Sequence, residues 1–218
     1  MRIKDSCCVI TGVTGATGRQ LREALTRAGA RVIGIPSASR PSGSLDYPTD
    51  LTNPESVSTT VAEICSDHGA IDIWINVVGG FAMGSSTEET SSAEWDRMWT
   101  INFLTTLNSC QAILPHFKAH RKGRLINFGS AAVRQGMALA SPYLVSKAAV
   151  HTLTQVISLE VSDDITCNAI LPGVIDTPAN REAMPSADFG TWVTPAQLGA
   201  AIIELLPTNR NGELIVLP

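Results

Sequence analysis

The sequence lacks long hydrophobic runs, an excess of basic residues and any CxxC pair, and each absence removes a class of function. The opening "MRIKDSCCVITG" carries an apolar stretch too short for a signal-peptide core or a membrane span, so a cytoplasmic protein without a membrane partner is expected. Its 16 lysines and arginines are scattered among 20 aspartates and glutamates, for a net charge of −4, which offers no groove for nucleic acid and points to a small-molecule partner. Five cysteines (Cys7, Cys8, Cys65, Cys110, Cys167) make an odd set, mostly within apolar stretches, and read as reduced core residues. Only two tyrosines occur, Tyr47 and Tyr143.

What is present is a 44% hydrophobic chain of 218 residues, enough for a sizeable core and matched by length to one domain over residues 1–218. Short β-branched runs, "CCVIT", "ARVIGI", "IDIWIN", "GRLINF", "DITCNAI" and "GELIVL", alternate with helical periodicity at 16–28, 54–67, 92–120, 143–161 and 195–206. Runs apolar on both faces predict a parallel sheet covered by helices on each side, a doubly wound α/β domain. Pro54 in "NPES" and the capping-box spacing of Ser91 and Glu94 mark two helix starts.

The first strand runs into "TGVTGATG", residues 11–18, and then a helix. Glycines at 12, 15 and 18 allow a tight turn and a close backbone approach, so a helix N-terminus can face the pyrophosphate of a dinucleotide. A site that prefers NAD usually places a carboxylate about 20 positions on, at the end of the second strand. Here "VIGIPSASR" has none, and no carboxylate lies between Glu23 and Asp46. Ser37, Ser39 and Arg40 could receive a 2′-phosphate, which favours NADP with NAD as the alternative; Arg40 reads equally as a solvated loop residue.

In "SPYLVSKAAVH", Tyr143 and Lys147 lie four residues apart, on one helix face with a rise of about 6 Å between them. Lowering a phenol from pKa 10 to about 7 takes roughly 4 kcal/mol. An ammonium at about 4 Å supplies about 4 kcal/mol at an effective dielectric near 20, so the spacing predicts a tyrosine that exchanges protons at neutral pH. Ser130 ends the strand "GRLINFGS", where strand ends open onto a ligand crevice and a hydroxyl could hold a substrate carbonyl oxygen.

Taken in order, these motifs resemble the short-chain dehydrogenase/reductase family over nearly the whole chain. The glycine turn departs from the family's TGxxxGxG, since Ala16 stands where the middle glycine is usual; "DLT" with Asp50 and Leu51, and "NVVG" at 76–79, resemble the adenine-side and NNAG motifs. Asn102 falls at the family's helix asparagine, and "NAILPGVIDT" resembles the segment flanking the nicotinamide. The resemblance implies a Rossmann-like sheet of about seven strands and a tetrad of Asn102, Ser130, Tyr143 and Lys147. It also implies cofactor contacts from Gly12, Thr14, Gly15, Ala16, Thr17, Gly18, Asn76, Val77, Gly79, Pro172, Gly173, Val174 and Thr177, besides Tyr143 and Lys147. In that scheme Tyr143 is general acid and base, Lys147 lowers its pKa and bonds the nicotinamide ribose, and Asn102 positions a water. A homodimer or homotetramer through the helices at 92–120 and 143–161 is implied in the same way.

Residues 176–195 and "NVVGGF" at 76–81 are similar to the corresponding segments of dihydropteridine reductases, which favour NADH and generally lack the serine and asparagine kept here. A pteridine-type reductase and a dinucleotide binder without turnover are therefore the rival readings. With a short loop between Thr177 and Thr194 and a last strand ending near Pro218, a relatively open site is expected. No metal site is expected: His116 and His120 have zinc-pair spacing without the HExxH glutamate, and read as surface residues. Trp95 and Trp99 read as packing residues, Phe189 and Trp192 as pocket lining or loop anchors, and Val133, Gln135, Met137 and Val174 as candidates to face a mixed apolar pocket.

Overall fold

The computed structural model describes residues 1–36, 43–162 and 164–218. The six β-branched runs form six strands, β1 (Cys7–Thr11), β2 (Arg31–Ile35), β3 (Ile73–Asn76), β4 (Lys122–Phe128), β5 (Asp164–Pro172) and β6 (Leu214–Leu217). They pair in parallel in the order β2-β1-β3-β4-β5-β6, so the chain reverses its direction of travel across the sheet between β1 and β3. Ligand crevices open at the carboxyl ends of strands at such a reversal. The expected count of seven is corrected to six among the described residues. Beyond β2, the segment 45–47 makes only a single parallel bridge, Gly34 to Asp46, too short to count as a strand.

The helices are α1 (Ala16–Arg27), α2 (Pro54–His68), α3 (Ser92–Trp99), α4 (Thr105–His120), α5 (Ala132–Gln135), α6 (Ser141–Glu160), α7 (Pro178–Ala183) and α8 (Pro195–Leu205). Alternation along the strands divides the core in two. Cys7, Val9, Trp74 and Leu125 meet Val57 and Ile64 of α2, Ile113 and Phe117 of α4 and Ile157 of α6. On the other face, Cys8, Ile10, Ile75 and Ile126 meet Leu21 and Leu25 of α1 and Leu198 and Ile202 of α8. All five cysteines are free, and only Cys65 is less than fully buried. No helix among the described residues is long and apolar enough to cross a membrane.

Helix starts follow local chemistry. Asn53 accepts hydrogen bonds from the Glu55 and Ser56 N–H groups ahead of Pro54. Ser91 caps Glu94 N at 3.2 Å, but the Glu94 carboxylate turns to Arg97, so that box is half formed; Thr194 and Gln197 form both halves of one. The helix expected over 92–120 is interrupted by a π-helical turn, Thr100–Leu104. The Thr105 and Thr106 hydroxyls donate to the Ile101 and Asn102 carbonyls of this turn. π turns widen a helix by one residue and occur often at functional sites.

A polar seam crosses the first core. Trp74 Nε1 donates to Asn76 Oδ1 (2.8 Å), Asn76 Nδ2 to Asn127 Oδ1 (2.9 Å), and Asn127 Nδ2 to Thr154 Oγ1 (2.9 Å), tying β3, β4 and α6 together. Phe117 closes this core, fully buried, and a side chain at Gly123 would collide with its ring. Phe117→Ala should therefore cost about 3–5 kcal/mol of stability, read by urea unfolding; a cost below about 1 kcal/mol would contradict this packing.

Candidate active site

The glycine turn is built for close approach. Gly12 takes a φ of +67°, in the left-handed region open to glycine, and packs against Val78. A side chain at Gly18 would collide with the Gly12 carbonyl and lie 2.8 Å from Val13 Cα. Gly15 caps α1 without any side-chain hydrogen bond, leaving the helix's first N–H groups to a ligand. Thr14, Ala16 and Thr17 complete the turn, with the Thr14 carbonyl accepting from Arg19 at 2.7 Å. These residues fit a dinucleotide pyrophosphate. A cleft of about 360 Å³ runs from Ala16 and Arg19 past Asp176 and Pro178 to Thr194.

The adenine-side candidates divide. Asp50 is exposed and accepts from Thr52 N and Oγ1, which hold its carboxyl below the usual range, while Leu51 is buried with its carbonyl bonded by Asn108. Ser37, Ser39 and Arg40 lie outside the described residues. The bridge at Gly34 brings Asp46 back against β2, where its carboxylate pairs with Arg22 of α1. A side chain at Gly34 would occupy the space of that ion pair.

Three of the tetrad residues converge at the end of β4. Ser130 follows it, and its hydroxyl is the neighbouring group that favours the Tyr143 phenolate. Lys147, one turn along α6, is 5% exposed and donates from Nζ to the Phe128 carbonyl at 2.8 Å. Gly79 leaves room here: a Cβ on it would lie 3.0 Å from Lys147 Nζ and 2.9 Å from Asn102 Oδ1. Asn102 sits in the π turn, fully buried. Its Oδ1 accepts from Gly80 N (2.9 Å) and its Nδ2 donates to Ser146 Oγ (3.1 Å), which in turn donates to the Tyr143 carbonyl (2.7 Å). Asn102 thus braces α6 against the loop after β3.

Two expectations need correction. Tyr143 is not tuned toward neutrality in this geometry: burial pushes its phenol above the usual value of 10, and only the Ser130 hydroxyl opposes this. Lys147 directs its charge at the Phe128 carbonyl, and burial pulls its own pKa down to about 8. Asn76, implied as a cofactor contact, is 2% exposed with its side-chain amide committed to Trp74 and Asn127, so it joins strands instead. Val77 N, by contrast, donates to Thr11 Oγ1 (3.0 Å) and ties the loop after β3 to the glycine turn.

Beyond β5, the Pro172 carbonyl accepts from Ala131 N, Gly173 N donates to the Leu217 carbonyl, and the Val174 carbonyl accepts from Val193 N. Thr177 caps α7. Trp192 is buried and packs at 4.7 Å on Phe189, which Arg181 covers, so both aromatics anchor the loop. Phe81, Met83, Met137, Leu139, Val174 and Met184 are exposed. Phe81 meets Tyr143 edge to face at 4.9 Å. A second cleft of about 370 Å³ is lined by Met83, Leu139 and Pro142 together with Glu89 and Glu94.

Sequence reasoning missed Phe81, although an aromatic directly after "NVVGG" in so ring-poor a chain was a usable signal. It also missed His151, buried two turns beyond Tyr143. His116 is not a plain surface residue, since it accepts from Ile71 N (3.0 Å) and meets Cys65 Sγ (3.4 Å). Trp99 is 38% exposed against Phe103, not packed inside.

The Lys147 shift has a measurable consequence. The unfolded chain keeps this proton up to about pH 10.5 and the folded chain releases it from about pH 8, so the penalty is complete below 8 and is relieved as pH rises through this window. The stability difference between Lys147→Met and wild type should shrink between pH 8 and 10.5 in protein without added dinucleotide, measured by denaturant unfolding. A constant difference would contradict the shift.

The family model for short chain dehydrogenase matches residues 6–188. The chain is 35% identical to a sorbitol dehydrogenase of Cereibacter sphaeroides, covering 81% of this chain and 73% of that protein. It is 28% identical to a D-beta-hydroxybutyrate dehydrogenase of Rhizobium meliloti, covering 93% and 84%. Among solved structures, the Thermoplasma acidophilum aldohexose dehydrogenase superposes with a TM-score of 0.88 at 25% identity, covering 99% of this chain and 93% of that one. ElxO with NADP bound shares the fold at a TM-score of 0.88 and 22% identity, covering 97% and 96%. Match, fold and sequence order of the motifs agree, and the chain belongs to the short chain dehydrogenase family of oxidoreductases.

Proposed function

We propose that this chain interconverts a carbonyl and an alcohol with NADP(H), NAD(H) being the alternative coenzyme, and that Tyr143 is its general acid and base. The observation that carries the reading is the convergence at the end of β4 of Ser130, the Tyr143 phenol it influences and, one helical turn on, a buried Lys147 bonded to the Phe128 carbonyl, beside a glycine cradle. A bound nicotinamide supplies or accepts the hydride. Ser130 holds the substrate oxygen, and Tyr143 gives that oxygen its proton in reduction or removes it in oxidation. Lys147 holds its ammonium one turn from Tyr143 against the Phe128 carbonyl, and Asn102 keeps α6 in register. Gly12, Thr14, Gly15, Ala16, Thr17 and Gly18 hold the pyrophosphate. Asp50, Leu51, Val77, Gly79, Pro172, Gly173, Val174 and Thr177 complete the dinucleotide site, with Ser37, Ser39 and Arg40 taking the 2′-phosphate. Residues 1–218 carry both roles as one unit.

Exposed apolar side chains, Phe81 against Tyr143 and Met83 and Leu139 at the second cleft, support an uncharged substrate. One observation favours the pteridine-type reading within this chemistry: the Phe81 ring, 54% exposed and set edge to face on Tyr143, offers a flat surface to a conjugated ring. Exposed Trp99 and a stripe of Val145, Val156 and Leu159 along α6 support a homodimer or homotetramer joined through these helices.

Tyr143→Phe should leave dinucleotide binding nearly intact and lower turnover by roughly 10²–10⁴-fold, measured with a carbonyl panel that includes a quinonoid dihydropteridine; full turnover in that variant sinks the assignment. Titrations followed by nicotinamide fluorescence should show tighter binding of NADPH than of NADH. The reverse order overturns the coenzyme preference, and activity confined to the dihydropteridine selects the second reading.

A further inference from the structure

His151 is fully used and unassigned. It lies on α6 one turn past Lys147, is 7% exposed, and its Nε2 accepts the Ser130 backbone N–H at 3.2 Å. The neighbouring amides of Ser130 find partners across the sheet: Gly129 N donates to the Ile170 carbonyl and Ala131 N to the Pro172 carbonyl, both at 2.9 Å. Strand geometry alternates these donors, so the Ser130 N–H points away from β5, toward the side where β3 has already ended at Asn76. Without His151 this buried N–H would lack an acceptor.

The fit is mutual. Any side chain at Gly129 would collide with the His151 ring, so the glycine before Ser130 exists as space for that imidazole. The acceptor role requires an unprotonated Nε2, and the surroundings enforce it: burial, then the Lys147 and Arg134 cations, pull the His151 pKa down to about 4. Ser130 is otherwise held by its carbonyl, which accepts from Val133 N at 3.3 Å, and by its hydroxyl, which accepts from Ala132 N at 3.3 Å and influences the Tyr143 phenol.

We propose that His151 is a positioning residue of the active site: its Nε2 pins the Ser130 amide to α6, so that the helix carrying Tyr143 and Lys147 also fixes where the Ser130 hydroxyl stands. The inference rests on Ser130 and Tyr143 acting as proposed above. Three residues at i, i+4 and i+8 on one helix then set proton donor, cation and oxyanion partner as one rigid group.

The test compares His151→Leu, which removes the acceptor, with His151→Gln, whose amide oxygen can replace Nε2, in the full chain with NADPH or NADH and the best carbonyl substrate. In His151→Leu, kcat should fall about tenfold or more, with KM and dinucleotide affinity changed by less than about threefold; His151→Gln should recover most of kcat. Equal kcat in His151→Leu and wild type, or equal losses in both variants, overturns the positioning role. Should His151→Leu not fold, ¹⁵N spectra of wild-type protein decide: the His151 ring should be neutral at pH 7 with its proton on Nδ1, and a proton on Nε2 overturns the proposal. Failure of the parent reading shows separately, as a wild-type enzyme that turns over no substrate or a Tyr143→Phe variant with full activity.

Discussion

The docking of α6 on the carboxyl end of β4 is the contact on which the rest depends. Within three consecutive residues, β4 and its extension receive two bonds from one helix face: Lys147 Nζ to the Phe128 carbonyl at 2.8 Å, and the Ser130 amide to His151 Nε2 at 3.2 Å. Gly129, between them, has no side chain because the imidazole occupies that volume. Deeper in the molecule the same helix is held by Thr154, which accepts from Asn127 of β4. Helix and strand therefore share a single register, and a shift of either would separate Tyr143 from Ser130.

That docking is electrostatically costly, and the cost has a use. Lys147 is buried with a carbonyl as its polar partner and no carboxylate among the causes that shift it, and its pKa depression to about 8 corresponds to roughly 3 kcal/mol. The loop after β3 stays close only because Gly79 leaves space for both Nζ and the Asn102 amide. A cation kept this dry interacts strongly with any negative charge that forms beside it, more strongly than a solvated one would. The π turn serves the same end, placing a fully buried asparagine where its oxygen meets Gly80 and its nitrogen meets Ser146.

Much of this was legible in the sequence because it depends on local pattern. All six strands were visible as β-branched runs, and the glycine turn, Tyr143 with Lys147, and Ser130 were visible as spacings. The break at Thr100–Leu104 was not, since threonines that bond back to carbonyls carry the same hydrophobic period as an unbroken helix. Asp46 stood in the sequence only as the first carboxylate after Glu23, and an isolated bridge carries it back to Gly34. The phenol pKa was misjudged for a related reason: spacing fixes the distance between Tyr143 and Lys147 along the helix, whereas burial and the direction of the ammonium are set by β4. Asn76 looked like a ligand contact by motif, and its neighbours Trp74 and Asn127 claim its amide.

The central claim is that this chain moves a hydride between a nicotinamide ring and a substrate carbon beside Ser130 and Tyr143. Its most direct measurement follows deuterium from NADPH or NADH labelled at either face of nicotinamide C4 into the alcohol product by mass spectrometry. The account predicts that one labelled face delivers deuterium to the carbinol carbon essentially completely while the other delivers none. Product formed without label from either face, or labelled equally from both, would contradict it.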